Sequence, residues 1–259
     1  MLIDSHCHLN YDYAPKSVDD LIREGKLAGV TAFVTIGTDL PTIAEVQAIS
    51  DKYPEVYHTI GVHPHDASSL SDADSEMLIT AARHPKCRGI GEIGLDYHYE
   101  HSPRDIQRQR LEQQLEIALS LDKPIVIHSR EGEADLLKSL TQYAKKVSTG
   151  HAPGIIHCFT GTEAFGRACL DLGFYISFSG IITFKKAEDV RACAAAFPLD
   201  RLLVETDSPF LAPIPNRGKK CEPSMVKLTA MKLAEIKGVD LQTVAQITTA
   251  NAKRVFGIP

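Results

Sequence analysis

The sequence lacks the features that mark membrane and secreted proteins. No apolar run approaches the ~18 residues of a membrane-spanning helix. The first residues hold no charged segment followed by an apolar one, so we expect no secretory leader. The six cysteines form no C-x-x-C pair and do not cluster, which is typical of a reducing compartment. We therefore expect a cytoplasmic protein that does not bind a membrane.

An excess of positive charge is missing as well. Lys and Arg number 28 against 33 Asp and Glu, which gives a net charge of −5. This balance excludes binding of nucleic acid by bulk charge, although it leaves room for a local basic groove. The dense basic spots are Lys185–Lys186 and Arg217–Lys220. Linkers and low-complexity tracts are missing too, so residues 1–259 are predicted to form a single domain.

Eight short apolar runs rich in Val, Ile and Phe are present along the whole chain. They are continuous rather than alternating, which is typical of strands buried on both faces of a parallel sheet. The predicted strands are Leu2–Asp4, Ala32–Gly37, Val56–Val62, Gly89–Ile93, Pro124–His128, Gly154–Phe159, Phe174–Phe178 and Leu202–Asp207.

Stretches with helical spacing of apolar residues separate these strands. The predicted helices are Ser17–Ala28, Pro41–Lys52, Ser71–Arg83, Pro103–Leu121, Glu131–Lys146, Glu163–Leu172 and Lys185–Phe197, with Pro223–Ile236 and Asp240–Phe256 closing the chain. One strand and helix about every 30 residues is typical of a βα unit, and eight units indicate an α/β fold, the (β/α)₈ TIM barrel. A doubly wound sheet of eight strands is the structural alternative.

In a barrel of this kind the chemistry collects where the strands end. His6 and His8 lie two residues apart in an extended segment, so their side chains point to the same side. Glu92 lies inside an apolar, glycine-lined run, where a carboxylate needs a cation or a proton. Further strands end in His128, in His157, and in Glu205 with Asp207.

Six of these groups would meet at one mouth of the barrel: His6, His8, Glu92, His128, His157 and Asp207. Satisfying them by structural contacts alone would require several coincidental buried pairs. Two divalent cations, each with three or four nitrogen or oxygen ligands, would satisfy all six together. The sequence therefore predicts a metal site. Cys7 and Cys158, each next to a histidine, are predicted to point away from it.

The segments that carry these residues resemble the TatD family of metal-dependent hydrolases, in particular its YcfH-like branch, within the amidohydrolase-like barrels. The matching segments are Asp4–Leu9, Gly61–Pro64, Gly91–Tyr97, Pro124–Arg130, His157–Gly161, Glu205–Pro209 and Pro213–Lys219. They occur in order over the whole chain. The sequence departs from the family pattern at Asn10, Cys221 and the loop Thr149–Pro153, none of which includes a predicted ligand.

The resemblance implies a two-metal hydrolase. One ion would be held by His6, His8, Glu92 and Asp207, and the other by Glu92, His128 and His157, so that Glu92 bridges them. Such a pair lowers the pKa of a shared water, whose hydroxide attacks the phosphorus of a phosphodiester. Asp207 would act as the general base, which makes Asp207 and Glu92 the predicted catalytic residues. The metals are expected to be Zn, Mn or Mg.

The resemblance also implies the substrate. Members of the family are described as deoxyribonucleases, some as 3′–5′ exonucleases on single-stranded DNA or RNA, so we expect nucleic acid, DNA first, as the substrate. Three residues are predicted to meet its phosphate: His63, Arg130 and Arg217. We expect a monomer that needs no obligate protein partner.

Three alternatives stay open at this point. The same site could hydrolyse a carboxylic ester or amide, as a D-aminoacyl-tRNA deacylase or a small-molecule amidohydrolase would, and the net charge of −5 favours this over avid DNA binding. A phosphoesterase of the PHP type also opens with H-x-H, but the single Glu92 and the Glu205–Asp207 segment fit it less well. A scaffold protein that only kept the ligand set is the third.

Overall fold

Eight parallel strands alternate with helices along residues 1–259, all of which the computed structural model describes. Each strand pairs with the next one along the chain, so the sheet order is β1 to β8. The strands are β1 Leu2–Cys7, β2 Val30–Ile36, β3 Val56–Ile60, β4 Cys87–Asp96, β5 Ile125–Arg130, β6 Gly154–Ile156, β7 Tyr175–Phe178 and β8 Leu202–Val204. The predicted (β/α)₈ architecture is confirmed.

The sheet closes on itself where the first strand meets the chain that follows the last. Cys7 pairs with Ser208 in parallel fashion, and the Asp207 N–H donates to the His6 carbonyl over 2.9 Å. The Thr206 hydroxyl donates to the Asp4 carboxylate over 2.6 Å, entirely inside the protein. These bonds join the ends of the sheet, so the doubly wound alternative is wrong.

The helices lie close to the predicted ones. They are α1 Val18–Leu27, α2 Thr42–Lys52, α3 Ser75–Ala82, α4 Arg104–Ser120, α5 Glu133–Ala144, α6 Glu163–Asp171, α7 Glu188–Ala196, α8 Val226–Lys237 and α9 Leu241–Phe256. Ser17 begins α1 in a reciprocal capping box with Asp20. Asp240 caps α9 by accepting from the Thr243 N–H over 2.6 Å. The predicted helices at 71–83 and 223–236 each begin as a short 3₁₀ turn.

Several predicted strands differ from the observed ones at their ends, most of all β1, β4, β6 and β8. The chain leaves the extended conformation at Cys158 and Asp207, which have φ of 44° and 57°, so β6 and β8 stop before these residues. β4 instead continues to Asp96, because its last residues still pair with β5 up to Arg130. The consequence is that His157 and Asp207 stand on the loops just beyond their strands.

The core has two layers. The larger one lies between the strands and the surrounding helices. The smaller one fills the barrel with Val34, Val126, Ile155 and Leu203, and the end of α9 packs against it. Asn251 of α9 donates to the Leu202 carbonyl over 2.8 Å, which fixes the helix under the end where the strands begin. The other end of the barrel is left open. None of the helices combines the length and apolarity that crossing a membrane requires.

Candidate functional site

His6 and His8 enter the open end of the barrel from the end of β1. His6 is fully buried, and its Nε2 lies 3.4 Å from Glu92 Oε2 and 3.5 Å from Asp207 Oδ1. His8 Nε2 lies 3.4 Å from the same Asp207 oxygen. Neither ring nitrogen of His6 makes a hydrogen bond of good geometry. Buried polar atoms are nearly always hydrogen-bonded. The two unpaired ring nitrogens of His6 therefore indicate a candidate binding site.

Glu92 of β4 is the centre of the cluster. Its Oε1 lies 2.7 Å from His157 Nε2, 3.0 Å from His128 Nδ1 and 3.4 Å from His63 Nε2. Its Oε2 faces His6. The carboxylate is only 4% exposed, so its charge can be held only by these rings or by a bound cation. A side chain with contacts on both oxygens is well placed to bridge two sites.

The electrostatics of the cluster follow from burial and close pairing. Burial alone would raise the pKa of Glu92, but His157, His63 and His128 outweigh it and hold the pKa well below its usual range. Burial likewise opposes protonation of His157, yet Glu92 and Glu205 outweigh it and raise its pKa well above the ordinary value. The pKa of His63 falls to about 4 because the ring is buried. Burial, followed by His157, also lowers the pKa of His6.

Two carboxylates outside the predicted site orient its histidines. Glu205 Oε1 lies 3.3 Å from His157 Nδ1 and accepts the Cys158 N–H over 2.7 Å. Asp96 Oδ2 lies 3.0 Å from His128 Nε2 and 2.9 Å from His65 Nε2. Histidines that bind metals usually donate their second N–H to such a carboxylate. The pairing of carboxylates in Glu205-Thr206-Asp207 was visible in the sequence, whereas the role of Asp96 depends on the extra length of β4.

Three groups of ligand atoms lie close enough together to hold a metal ion. They are His6 with His157 and Glu205, His6 with His8 and Glu92, and His63 with Glu92 and His128; within each group the atoms lie within 4.8 Å of one another. Glu92 and His6 each belong to two of the three groups. Their imidazole nitrogens and carboxylate oxygens suit Zn²⁺ or Mn²⁺, so the residues fit a metal centre. His63, predicted to contact substrate, lies among the potential ligands and also lines the cavity above them.

The open end of the barrel forms a cavity of about 650 Å³ above these ligands. Arg130 lines it, with its guanidinium 4.7 Å from the centre of the Tyr99 ring. Tyr11 and Phe210 line the cavity beside His8, their rings 5.9 Å apart. Arg217 does not line it, because its guanidinium lies 3.8 Å from the centre of the Phe184 ring and donates to the Ala212 carbonyl. The structure therefore brings Arg130, but not Arg217, to the cavity.

Comparison with known proteins places this geometry in a family. The family model described as TatD related DNase matches residues 3–257. The chain belongs to the TatD family. A metal-dependent hydrolase, YabD of Bacillus subtilis, is 40% identical over 258 residues, which is 100% of each chain. The 3′-5′ ssDNA/RNA exonuclease TatD of Klebsiella pneumoniae is 32% identical over 263 residues, covering 99% of this chain and 98% of the relative.

A solved structure agrees with the sequence relatives. The TatD homologue YjjV of Escherichia coli superposes with a TM-score of 0.91 at 29% identity, covering 100% of this chain and 98% of that one. This TatD protein is accordingly a metal-dependent hydrolase built on a TIM barrel.

Proposed function

We propose that this TatD protein hydrolyses phosphodiester bonds of single-stranded nucleic acid, DNA first and RNA second, as a 3′–5′ exonuclease. The proposal rests on one observation: a buried set of potential metal ligands lines the floor of an open cavity, with the two unpartnered nitrogens of His6 directly beneath it. The Klebsiella pneumoniae relative named for ssDNA/RNA exonuclease activity supports the choice of substrate.

Two divalent cations would be held by six residues: His6, His8, Glu92, His128, His157 and Asp207. Metal ions in such a pair lower the pKa of water and neutralise charge on the phosphate oxygens. The contacts of Glu92 with rings on both sides support its placement between the two ions. His63 is available as a further ligand, since its Nε2 faces Glu92 Oε1.

Asp207 is the proposed proton acceptor. Its Oδ1 faces His6 and His8 while 15% of the side chain stays exposed, so the carboxylate reaches both the buried ligands and the cavity. Burial raises its pKa, but His8, His6 and His157 outweigh that effect and leave the pKa below the ordinary value. Asp207 is therefore ionised at neutral pH and can take a proton from water during hydrolysis.

The walls of the cavity suit an unstacked strand. Arg130 offers a guanidinium for a backbone phosphate. Tyr11, Tyr99 and Phe210 offer ring faces for bases, with Tyr99 52% and Phe210 48% exposed. Base stacking on aromatic rings does not depend on sequence and requires bases that are free of a duplex. The side chains in the cavity walls therefore favour single-stranded nucleic acid over small acyl compounds as the substrate.

The test is cleavage of labelled single-stranded DNA and RNA oligonucleotides, each protected by phosphorothioates at one end. We expect cleavage from the 3′ end with Mg²⁺, Mn²⁺ or Zn²⁺ and none in chelator. Asp207→Asn should abolish it, whereas Glu188→Gln, on an exposed carboxylate, should not change the rate. Full cleavage in chelator would refute the proposal. If D-aminoacyl-tRNA or carboxylic esters were hydrolysed while the DNA and RNA oligonucleotides stayed intact, the site would be assigned to carboxylic ester hydrolysis instead.

A further inference from the structure

A second cavity lies at the opposite end of the barrel, where the strands begin. Its volume is about 330 Å³, at the lower limit of typical small-ligand pockets. The start of β4, the residues before β5, the end of α5 with the loop that follows it, and the end of α9 form its walls. It shares no residue with the candidate metal centre.

Four cationic side chains line this cavity, although the whole protein is acidic: Arg88, Lys123, Lys146 and Arg254. Only Lys146 is neutralised, by Glu116 at 2.7 Å. The one acidic residue of the lining, Asp122, is paired with His151 at 2.8 Å. Arg88, Lys123 and Arg254 therefore bring positive charge to the cavity without a carboxylate at ion-pair distance.

The three remaining cations have few partners of any kind. Lys123 Nζ donates to the Cys87 carbonyl over 2.6 Å, and Arg254 Nη1 donates to the Tyr175 hydroxyl over 3.1 Å. The Nε of Arg88 is buried without a hydrogen-bond partner. A buried guanidinium N–H that lacks an acceptor is costly, because desolvation is not repaid. The Arg88 guanidinium therefore has donor capacity that the chain leaves unused in the wall of this cavity.

Helix ends explain part of this charge. Cations near the last turn of a helix complement its dipole, which accounts for Arg254 on α9 and for Lys146 just beyond α5. The helix dipole does not explain Arg88, because this residue lies on β4. Its guanidinium is 5.2 Å from the centre of the Tyr57 ring. The lining also contains the apolar side chains of Leu119 and Phe256 beside the cations.

We propose that this cavity binds a small phosphate-bearing anion, either free phosphate or the phosphate of a nucleotide. Guanidinium groups match phosphate geometry by paired N–H donors, and Arg88 and Arg254 supply two of them from different walls. The proposal does not depend on the reaction at the other end of the barrel.

The test is calorimetric titration of the metal-loaded, full-length protein with inorganic phosphate and, in parallel, with AMP. Arg88→Gln and Arg254→Gln should each lower the affinity for phosphate and AMP at one class of binding site, the one in this cavity, about tenfold or more. Arg83→Gln is the matched control, since Arg83 is an exposed arginine that ends α3 outside the cavity. It should leave the affinity unchanged. Tighter binding of AMP than of phosphate would identify the nucleotide as the ligand, and equal affinities would identify the phosphate group alone.

A second measurement keeps the result clear if Arg88→Gln fails to fold. Crystals of the unaltered protein soaked in tungstate should show anomalous density against Arg88. No density there, or an affinity that falls in Arg130→Gln and not in Arg254→Gln, would place the anion at the mouth and overturn the proposal. An equal loss in Arg83→Gln would overturn it as well, because the effect would then be one of overall charge.

Discussion

At the end of the barrel where the strands finish, carboxylates and imidazoles are buried together; where the strands begin, cations dominate a cavity. The two ends also differ in backbone conformation. Non-glycine residues with positive φ follow β4, β5, β6 and β8 at the first end, whereas Asp122 is the only one at the other. The five at the mouth are Glu100, Glu131, Cys158, Asp207 and Leu211. Strain of this kind is kept where function requires it, so the comparison indicates the working end.

The largest effect at the end of the barrel where the strands finish is expected from Glu92→Gln. The amide keeps the shape but cannot carry the charge that the surrounding rings and two cations would share. We expect kcat/KM on a single-stranded oligonucleotide to fall roughly 1,000-fold or more. Steady-state kinetics with added metal, beside a metal count by mass spectrometry, measure the effect. Wild-type activity in this variant would remove Glu92 from the centre of the site.

Substitutions at two glycines allow backbone packing to be compared between the two ends of the barrel. A Cβ on Gly94, whose φ is 149°, would lie 2.0 Å from the His128 carbonyl oxygen. Gly150, with φ of 89°, has nothing within 4 Å of such a Cβ. We expect Gly94→Ala to lower the free energy of unfolding by about 3 kcal/mol or more. Gly150→Ala should cost only about 1 kcal/mol, from its backbone conformation. Urea unfolding measures both, and equal losses would contradict the clash.

Glu205→Gln tests whether a carboxylate outside the predicted ligand set positions His157. Its Oε1 accepts the Cys158 N–H and faces His157 Nδ1, so the variant weakens the support of the ring without removing a predicted ligand. We expect metal affinity to fall about 10- to 100-fold. Competition with a chelating dye measures it. If Glu205 instead binds metal itself, as its place in one ligand group allows, the metal count should fall too.

His58 belongs to the cationic end and gives an effect on stability that appears only as the pH is lowered. Burial, then His84, Lys123 and Lys86, lowers its pKa from 6.5 to about 3, and its Nε2 is buried without a partner. Between those values the unfolded chain binds a proton that the fold excludes, so stability falls as pH falls. The slope is at most about 1.4 kcal/mol per pH unit.

His58→Leu should remove this contribution. Urea unfolding from pH 7 to pH 4 would compare the slope of the free energy of unfolding in the variant and in the wild type. The variant's slope should be smaller. Identical slopes would mean that His58 takes up its proton without unfolding.

The barrel and the convergence of six side chains were predictable because both depend on local signals. Continuous apolar runs mark buried parallel strands, and polar residues such as His6 and Glu92 interrupt or end them at the same relative position. The ends of β6 and β8 were not predictable. The positive φ of Cys158 goes with its N–H bond to Glu205, a residue 47 positions away.

Loop contacts account for the other differences. His63 lies beside Glu92 because the Pro64 turn brings its ring inward, and Arg217 is held against Phe184. Pro64 is a local signal for the position of His63, whereas the contact of Arg217 with Phe184 has no signature in the local sequence. The assignment of metal ligands, the single domain over residues 1–259 and the monomeric state stay predictions.

The closure of β1 onto the segment after β8 has a consequence for synthesis. His6 leaves the ribosome well before its neighbour Asp207, which follows about 200 residues later. At roughly 5–20 residues per second, the two are made roughly 10–40 s apart. A partly made chain therefore cannot assemble the full set of ligands. Metal uptake by nascent chains of increasing length would show at which length the set of ligands becomes complete.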